Sequence, residues 1–190
     1  MGKKEKKQLK KKGLHEEIAI PEGVAVSVNG PEVTAKGKYG ECTKRLVYPG
    51  VEISANSGKL ALGSKKSNKL LNRMIKTYKA HIKGMIKGAS EGHRYALKVC
   101  ASHFPMNVAV QGSQVIIKNF IGEKVPRVLD LVPGVKVSVD GTTINVESAD
   151  KERASQTAAS IEQITRRPGY DTRVFQDGIY ITNKDGKEVK

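Results

Sequence analysis

Apolar and polar residues alternate with a period of two along the first third of the chain. VAVSV (24–28), EVTAK (32–36), RLVY (45–48), VEIS (51–54) and KLALG (59–63) read as short strands parted by Gly, Pro and Asn. The period then changes. From Ser67 to Lys87 the apolar residues Leu71, Met74, Ile75, Tyr78, Ile82 and Met85 recur at spacings of three and four, which predicts an amphipathic helix closed by Gly88. A strand, RYALKV (94–99), follows.

The order then repeats. NVAVQG (107–112) echoes GVAVSV, and QVIIKNFIGE (114–123) echoes EVTAKGKYGE. VPGVKVSVDGTTINVES (132–148) echoes YPGVEISANSGKLALGS (48–64) without a gap, 84 positions on. A second helix is expected over about Ala149–Arg167, with Ala154, Ala158, Ile161 and Ile164 on one face and Pro168-Gly169 after it, then a strand GIYIT (178–182). Several pairs in register argue for an internal duplication. The fold class is α+β: two tandem repeats of a similar unit, each mainly antiparallel strands packed around one helix. The expected divisions are a basic arm at 1–13, a first repeat at 14–100, a second at 101–184 and a C-terminal tail at 185–190.

The repeated PGV has a local reason. Pro fixes φ near −65° and the following Gly accepts a turn conformation that most residues resist. Alternating Val and Ile then build a half-buried strand. Asp140-Gly141 signals a tight hairpin, and its counterpart Asn56-Ser57-Gly58 reads as one residue looser.

Charge turns this scaffold toward a partner. The formal net charge is +15, a balance suited to a polyanion, with nucleic acid as the default and an anionic membrane surface as the competitor. Residues 1–95 hold 21 Lys and Arg against 8 Asp and Glu, whereas 96–190 hold 13 against 11. Residues 1–12 contain seven lysines and one glutamate, either a solubilising tail or an arm that orders on phosphates. No apolar run reaches the ~18 residues of a membrane span, and no apolar segment follows the basic N-terminus as a secretory signal requires. With aromatics at 5%, a base-stacking platform looks poorly supplied.

The two helices differ in charge. Lys69, Arg73, Lys76, Lys79, Lys83 and Lys87 lie opposite the apolar stripe of the first, and Lys65 and Lys66 stand at its start. Cations are disfavoured at a helix N-terminus, and like charges four apart repel. A face with no acidic residue therefore gives up stability, which points to phosphate contact. The second helix mixes signs: Asp150 and Glu152 suit its N-terminus, and Arg166 and Arg167 suit either its C-terminal dipole or RNA.

Catalysis finds little support. His15, His81, His93 and His103 are scattered, and no GxSxG, Walker A loop or GxGxxG occurs. Cys42 and Cys100 form no CxxC pair and read as small core residues in a reduced, cytosolic chain. Neither a metal nor another cofactor is expected.

The duplicated unit, the paired PGV strands, the segment IGEKVPRVLDL (121–131) and the C-terminal RVFQDGIYITNK (173–184) resemble the universal large-subunit ribosomal protein L-six family in its archaeal and eukaryotic form. Arg173, Phe175, Asp177, Gly178, Ile179, Tyr180, Ile181 and Lys184 match the family's C-terminal signature, and Gln163 its upstream Gln. Two positions depart: Arg167 stands where an aliphatic is usual, and Tyr170 where Lys or Arg is usual. The resemblance implies a non-catalytic, cytoplasmic constituent of the large ribosomal subunit. It implies binding to ribosomal RNA mainly through the second repeat, near the site where translational GTPases dock. Neighbouring ribosomal proteins are the other implied partners, with no DNA, no membrane and no homo-oligomer. Candidate RNA contacts are Lys65, Lys66, Lys69, Arg73 and Lys76 in the first repeat, and Arg127, Arg166, Arg167, Arg173, Lys184 and Lys187 in the second. Arg127 follows Pro126 in a loop and serves either RNA or a carboxylate such as Asp130. The competing function is a free RNA-binding regulator or a non-catalytic subunit of an RNA-processing enzyme.

Overall fold

The computed structural model describes residues 14–56, 58–66, 68–171 and 173–189, so the expected arm at 1–13 lies outside it. Two units divide the chain: residues to 37 with 41–86, and residues 38–40 with 87–190.

Unit one contains β1 (Leu14–Ala19), β2 (Ala25–Asn29), β3 (Glu32–Gly37), most of β4 (Gly40–Arg45), β5 (Glu52–Asn56), β6 (Lys59–Ser64) and most of α1 (Lys69–Ser90). Two three-stranded sheets result, ordered β2-β3-β4 and β1-β6-β5. α1 buries Ile75, Tyr78, Ile82, Met85 and Ile86, four of which the helical period had marked, in a unit whose strands bury Ile18, Val33, Leu60 and Leu62. Lys79 of α1 reaches Glu16 of β1, and this cation holds the Glu16 carboxyl below its ordinary range.

Unit two contains β7 (His93–Cys100), β8 (Asn107–Gln111), β9 (Gln114–Lys118), a 3-10 turn (Phe120–Gly122), β10 (Arg127–Asp130), β11 (Lys136–Asp140), β12 (Thr143–Ser148), α2 (Lys151–Ile164), β13 (Gly178–Lys184) and β14 (Lys187–Glu188). Its sheets are β10-β9-β8 and a five-stranded β11-β12-β7-β13-β14. α2 lies on β7, β12 and β13, burying Ala154, Ala158 and Ile161 against Leu97, Ile144, Val146 and Ile179. Asp150 caps this helix by accepting the Glu152 amide at 2.9 Å.

The duplication is written in the strand registers. Asn56 pairs with Lys59 as Asp140 pairs with Thr143, so the hairpin expected to be looser has the same loop length as its copy. Gly50 and Gly134 take φ of 85° and 83°, the left-handed conformation that the PGV turns need. The earlier hairpins correspond differently. Asn29 pairs with Glu32 and Gln111 with Gln114, an offset of 82, so Val26 and Val28 match Val108 and Val110. Turns at Gly30 and Gly112 fix that register, and they override the two-residue-shifted match of GVAVSV to NVAVQG.

Six elements differ from the sequence reading. The segment RLVY is not a strand; β4 precedes it, with Cys42 its one buried residue, so hydrophobic alternation was absent there. Arg127–Asp130 forms a strand where a loop was expected. α1 continues past Gly88 to Ser90 and ends before Gly92. α2 stops at Ile164, leaving Arg166 and Arg167 beyond it. Strand β7, expected to close the first repeat, lies between β12 and β13 at the centre of unit two's sheet. The expected C-terminal tail turns back instead, with Lys187 and Glu188 pairing against Lys184 and Asn183.

Candidate nucleic-acid interface

After α2 the chain makes an excursion, 165–177, whose described residues, 165–171 and 173–177, are irregular, before it enters β13. Both of its ends are anchored. Thr165 is buried, donates its hydroxyl to the Glu162 carbonyl at 2.9 Å, and accepts the Ile179 amide at 3.1 Å. At the far end Asp177 accepts both the amide and the hydroxyl of Ser102, at 2.7 and 2.6 Å. A loop held this way presents its side chains with little ordering cost on binding.

The side chains it presents are cationic and aromatic. The Arg167 guanidinium lies 4.1 Å from the centroid of the Tyr170 ring. Tyr170 in turn meets Phe175 edge to face, with centroids 4.9 Å apart. Arg166 is exposed. These residues, with Pro168, Gly169 and Tyr180, line a groove of about 640 Å³. Tyr170, Phe175 and Tyr180 keep 41%, 48% and 40% of their surface exposed, which is high for aromatic side chains. Arg173 donates twice to Asp171 and keeps the Asp171 carboxyl below its ordinary range. Its side chain is 88% exposed, so solvent weakens this pair and a phosphate can compete for the guanidinium.

The C-terminal signature therefore divides by role. Asp177 holds Ser102, Gly178 leaves room for the Tyr180 ring, which a Cβ there would meet at 3.2 Å, and Ile179 is core. Arg173 and Phe175 face outward. The two positions read as departures from the family's usual residues, Arg167 and Tyr170, are the stacked pair.

Arg127 does something else. Its Nε and one terminal nitrogen grip the two oxygens of Glu123 at 2.8 and 2.6 Å, another donates to the Ile164 carbonyl at the end of α2, and its plane lies 4.3 Å from the Phe120 centroid. The carboxylate is Glu123 rather than Asp130, and the guanidinium is spent inside the unit rather than offered to a ligand. Its hydrogen bond holds the Glu123 carboxyl below the ordinary range. A depressed folded-state value adds stability above the unfolded value near pH 4.3–4.5, and that stability is lost as pH falls through the folded value. Arg127→Ala is expected to cost about 2 kcal/mol and to flatten the acid limb of unit two's unfolding profile. Urea titrations between pH 3 and 7 check this, and an unchanged acid limb would refute the role.

The remaining candidates lie elsewhere. Lys184 and Lys187 are exposed and face each other across the β13–β14 hairpin. In unit one, Lys65 pairs with Glu52 at 3.1 Å and both are exposed, while Lys66 precedes α1 and is also exposed. Lys69, Arg73, Lys76 and Lys83 form an exposed row along α1, and among the described residues none is in an ion pair. Lys79 and Lys87, read from sequence as part of this row, are committed to Glu16 and Asp185.

The sequence reading passed over the aromatics. Nine Tyr and Phe looked too few for stacking, yet Tyr170, Phe175 and Tyr180 fall within eleven residues, and that clustering was the available signal.

The described residues thus combine a duplicated α+β scaffold with exposed Arg166 and Arg173 near the rings of Tyr170, Phe175 and Tyr180, and no group of metal-binding side chains occurs among them. The chain belongs to the Ribosomal protein L6 family, whose model matches residues 20–92 and 104–178. It is 47% identical over 174 residues to the large ribosomal subunit protein uL6 of Methanococcus vannielii, covering 92% of this chain and 96% of that one. It is 43% identical over 172 residues to that of Methanobrevibacter smithii, covering 90% and 97%. The family match covers both repeats and ends the first at residue 92, just ahead of β7.

Proposed function

We propose that this protein is a structural constituent of the large ribosomal subunit and binds ribosomal RNA chiefly through the 165–177 excursion of unit two. The observation that carries the reading is the anchored groove in which Arg166 and Arg167 stand beside exposed Tyr170 and Phe175. Guanidinium groups neutralise phosphates and release counterions, and rings accept splayed bases, the two means by which proteins hold irregular RNA. Arg173 adds a third cation at the loop's exposed turn. The open row on α1, Lys69, Arg73, Lys76 and Lys83, with Lys65 and Lys66 beside it, supplies a second contact of pure charge. Lys184 and Lys187 supply a third. Arg127 acts beneath the loop by fixing the end of α2. Placement near the GTPase docking site follows the family resemblance.

Sedimentation of ribosomes through a high-salt cushion tests membership: the protein is expected to remain with the large subunit. Recovery only in the soluble fraction would instead support a free RNA-binding regulator. Hydroxyl-radical footprinting on naked ribosomal RNA then identifies the helices protected.

A further inference from the structure

One face of α1 has the composition of a docking surface. Lys69, Arg73, Lys76, Ala80 and Lys83 recur at spacings of three and four, so they share one side of the helix, and all five are exposed. The row is about 21 Å long, at ~1.5 Å per residue. α1 contains no acidic residue. The carboxylate that Lys76 and Lys83 influence, Glu16, is already held by Lys79. Residues 1–12 hold seven lysines against one glutamate, and residues 13, 57, 67 and 172 carry no acid. Those residues therefore cannot cover the row as a counter-charge.

A glycine stands in this face without a reason inside the unit. Gly84 lies one turn after Ala80 and next to Lys83. A Gly in a helix interior costs about 1 kcal/mol relative to Ala. Gly88 has a packing reason, the backbone at Ala149, but a Cβ on Gly84 would meet nothing within 4 Å. The Gly84 backbone is not left-handed either. With Ala80 it makes a shallow notch in the row, flanked by Lys76 and Lys83. Small residues at such a place let another backbone come close.

The side chains select the partner. Protein interfaces are anchored by aromatic residues and Arg and are depleted in Lys. This face has three Lys, one Arg and no exposed ring. It has nothing to stack an unpaired base and, among its exposed residues, no carboxylate or amide to read a base edge. What remains is spaced charge with room beside it, which suits phosphates. A rigid row gains most from phosphates that are already fixed in place, as in a double helix, because a flexible strand must first be ordered along it.

We infer, resting on the ribosomal RNA reading above, that this face of α1 seats the phosphate backbone of double-helical RNA without regard to sequence, the strand passing closest at Ala80 and Gly84. The 165–177 excursion, with its rings, then takes irregular RNA while α1 takes a duplex.

Equilibrium binding of the full-length chain to a short mixed-sequence RNA duplex tests the inference. The parent is expected to prefer the duplex to an unstructured single strand of equal charge, and to bind two unrelated duplex sequences within about twofold. Ala80→Leu with Gly84→Leu fills the notch with a good helix former and removes no charge. This variant is expected to keep the thermal midpoint of the free protein, yet bind the duplex about tenfold or more weakly. Lys76→Gln with Lys83→Gln, at exposed sites, is expected to reproduce that loss with the fold intact, and it reads the same contact if the leucines unfold unit one. The inference is overturned if the folded variants bind the duplex as tightly as the parent. That result would leave the excursion untouched, since its part is read from Arg166, Arg167 and Arg173. It is also overturned if the single strand binds as tightly as the duplex. A polyglutamate peptide that displaces the duplex, and that binds the leucine variant equally weakly, would overturn it in favour of an acidic protein partner. If the parent binds neither the duplex nor a ribosomal RNA fragment, this inference and the RNA reading fall together.

Discussion

Gly88→Ala is expected to lower the thermal midpoint of unit two by up to roughly 8 °C, while Gly84→Ala, one turn earlier on the same helix, is expected to raise stability. In an exposed helix Ala is better than Gly by about 1 kcal/mol, so propensity alone favours both changes. Packing reverses the sign at one of them. A Cβ on Gly88 would stand 1.9 Å from the Ala149 carbonyl oxygen and 3.0 Å from the His93 ring, whereas one on Gly84 meets nothing within 4 Å. The obstacle at Gly88 is backbone just ahead of the Asp150 cap, so it cannot swing aside as a flexible side chain would. Overpacking of this kind costs about 1–3 kcal/mol and occasionally more, enough to exceed the propensity gain. For a chain of this size each kcal/mol moves the midpoint by roughly 2–4 °C. Thermal unfolding followed by circular dichroism, with Ile161 and Ile82 variants as markers of the two units, distinguishes the sites. If both alanines stabilise, the end of α1 does not lie against Ala149.

That glycine also shows where sequence reasoning stopped. Periodicity placed both helices and most strands, because an apolar stripe at spacings of three and four, or alternation at two, survives as long as one face is buried. Gly88 carries a local signal for a helix end, and the sequence reading took it as one. Its tertiary reason, the Ala149 carbonyl lying 61 positions away, is written nowhere near it. Strands β4 and β10 were missed for a related cause. Each buries little of its own side-chain surface, Cys42 in β4 and none fully in β10, so pairing with a neighbour rather than hydrophobic patterning makes them strands. The misplaced boundary at β7 has the same origin. Its sequence, RYALKV, alternates well and identifies a strand, but nothing local says whether it joins the sheet before it or the one after. In the candidate site, the sequence named Arg166, Arg167 and Arg173 together with Arg127 and could not tell their surroundings apart. A guanidinium looks alike in sequence whether solvent or Glu123 surrounds it. The aromatic half of the site was legible only as a local cluster within an aromatic-poor chain.

Binding of the full-length protein to a large-subunit ribosomal RNA fragment is expected to weaken by roughly 10³-fold or more between 50 and 200 mM salt, if about six phosphates are neutralised. The components of the interface should then separate by their salt response. Arg166→Gln, Arg167→Gln and Arg173→Gln together remove up to three phosphate contacts and are expected to lower the magnitude of the log–log salt slope by up to about 2.7. Lys69→Gln, Arg73→Gln and Lys76→Gln remove a comparable set from α1 and reduce the slope independently, without unfolding unit one, since all three side chains are exposed. Tyr170→Ala with Phe175→Ala behaves differently. Each stacked base is worth about 1–3 kcal/mol and carries no counterion, so affinity falls at every salt concentration while the slope holds. Arg127→Gln weakens binding only as far as it loosens the end of α2, and a temperature series will expose that dependence because the loss follows folding stability. A flat salt response in the parent protein would remove the electrostatic reading altogether. An unchanged slope in the Arg166, Arg167 and Arg173 variant would move the interface off the 165–177 excursion and leave the α1 row as its principal contact. A slope that falls in the Tyr170 and Phe175 variant would mean that the rings act by holding Arg167 in place over Tyr170 rather than by stacking on bases.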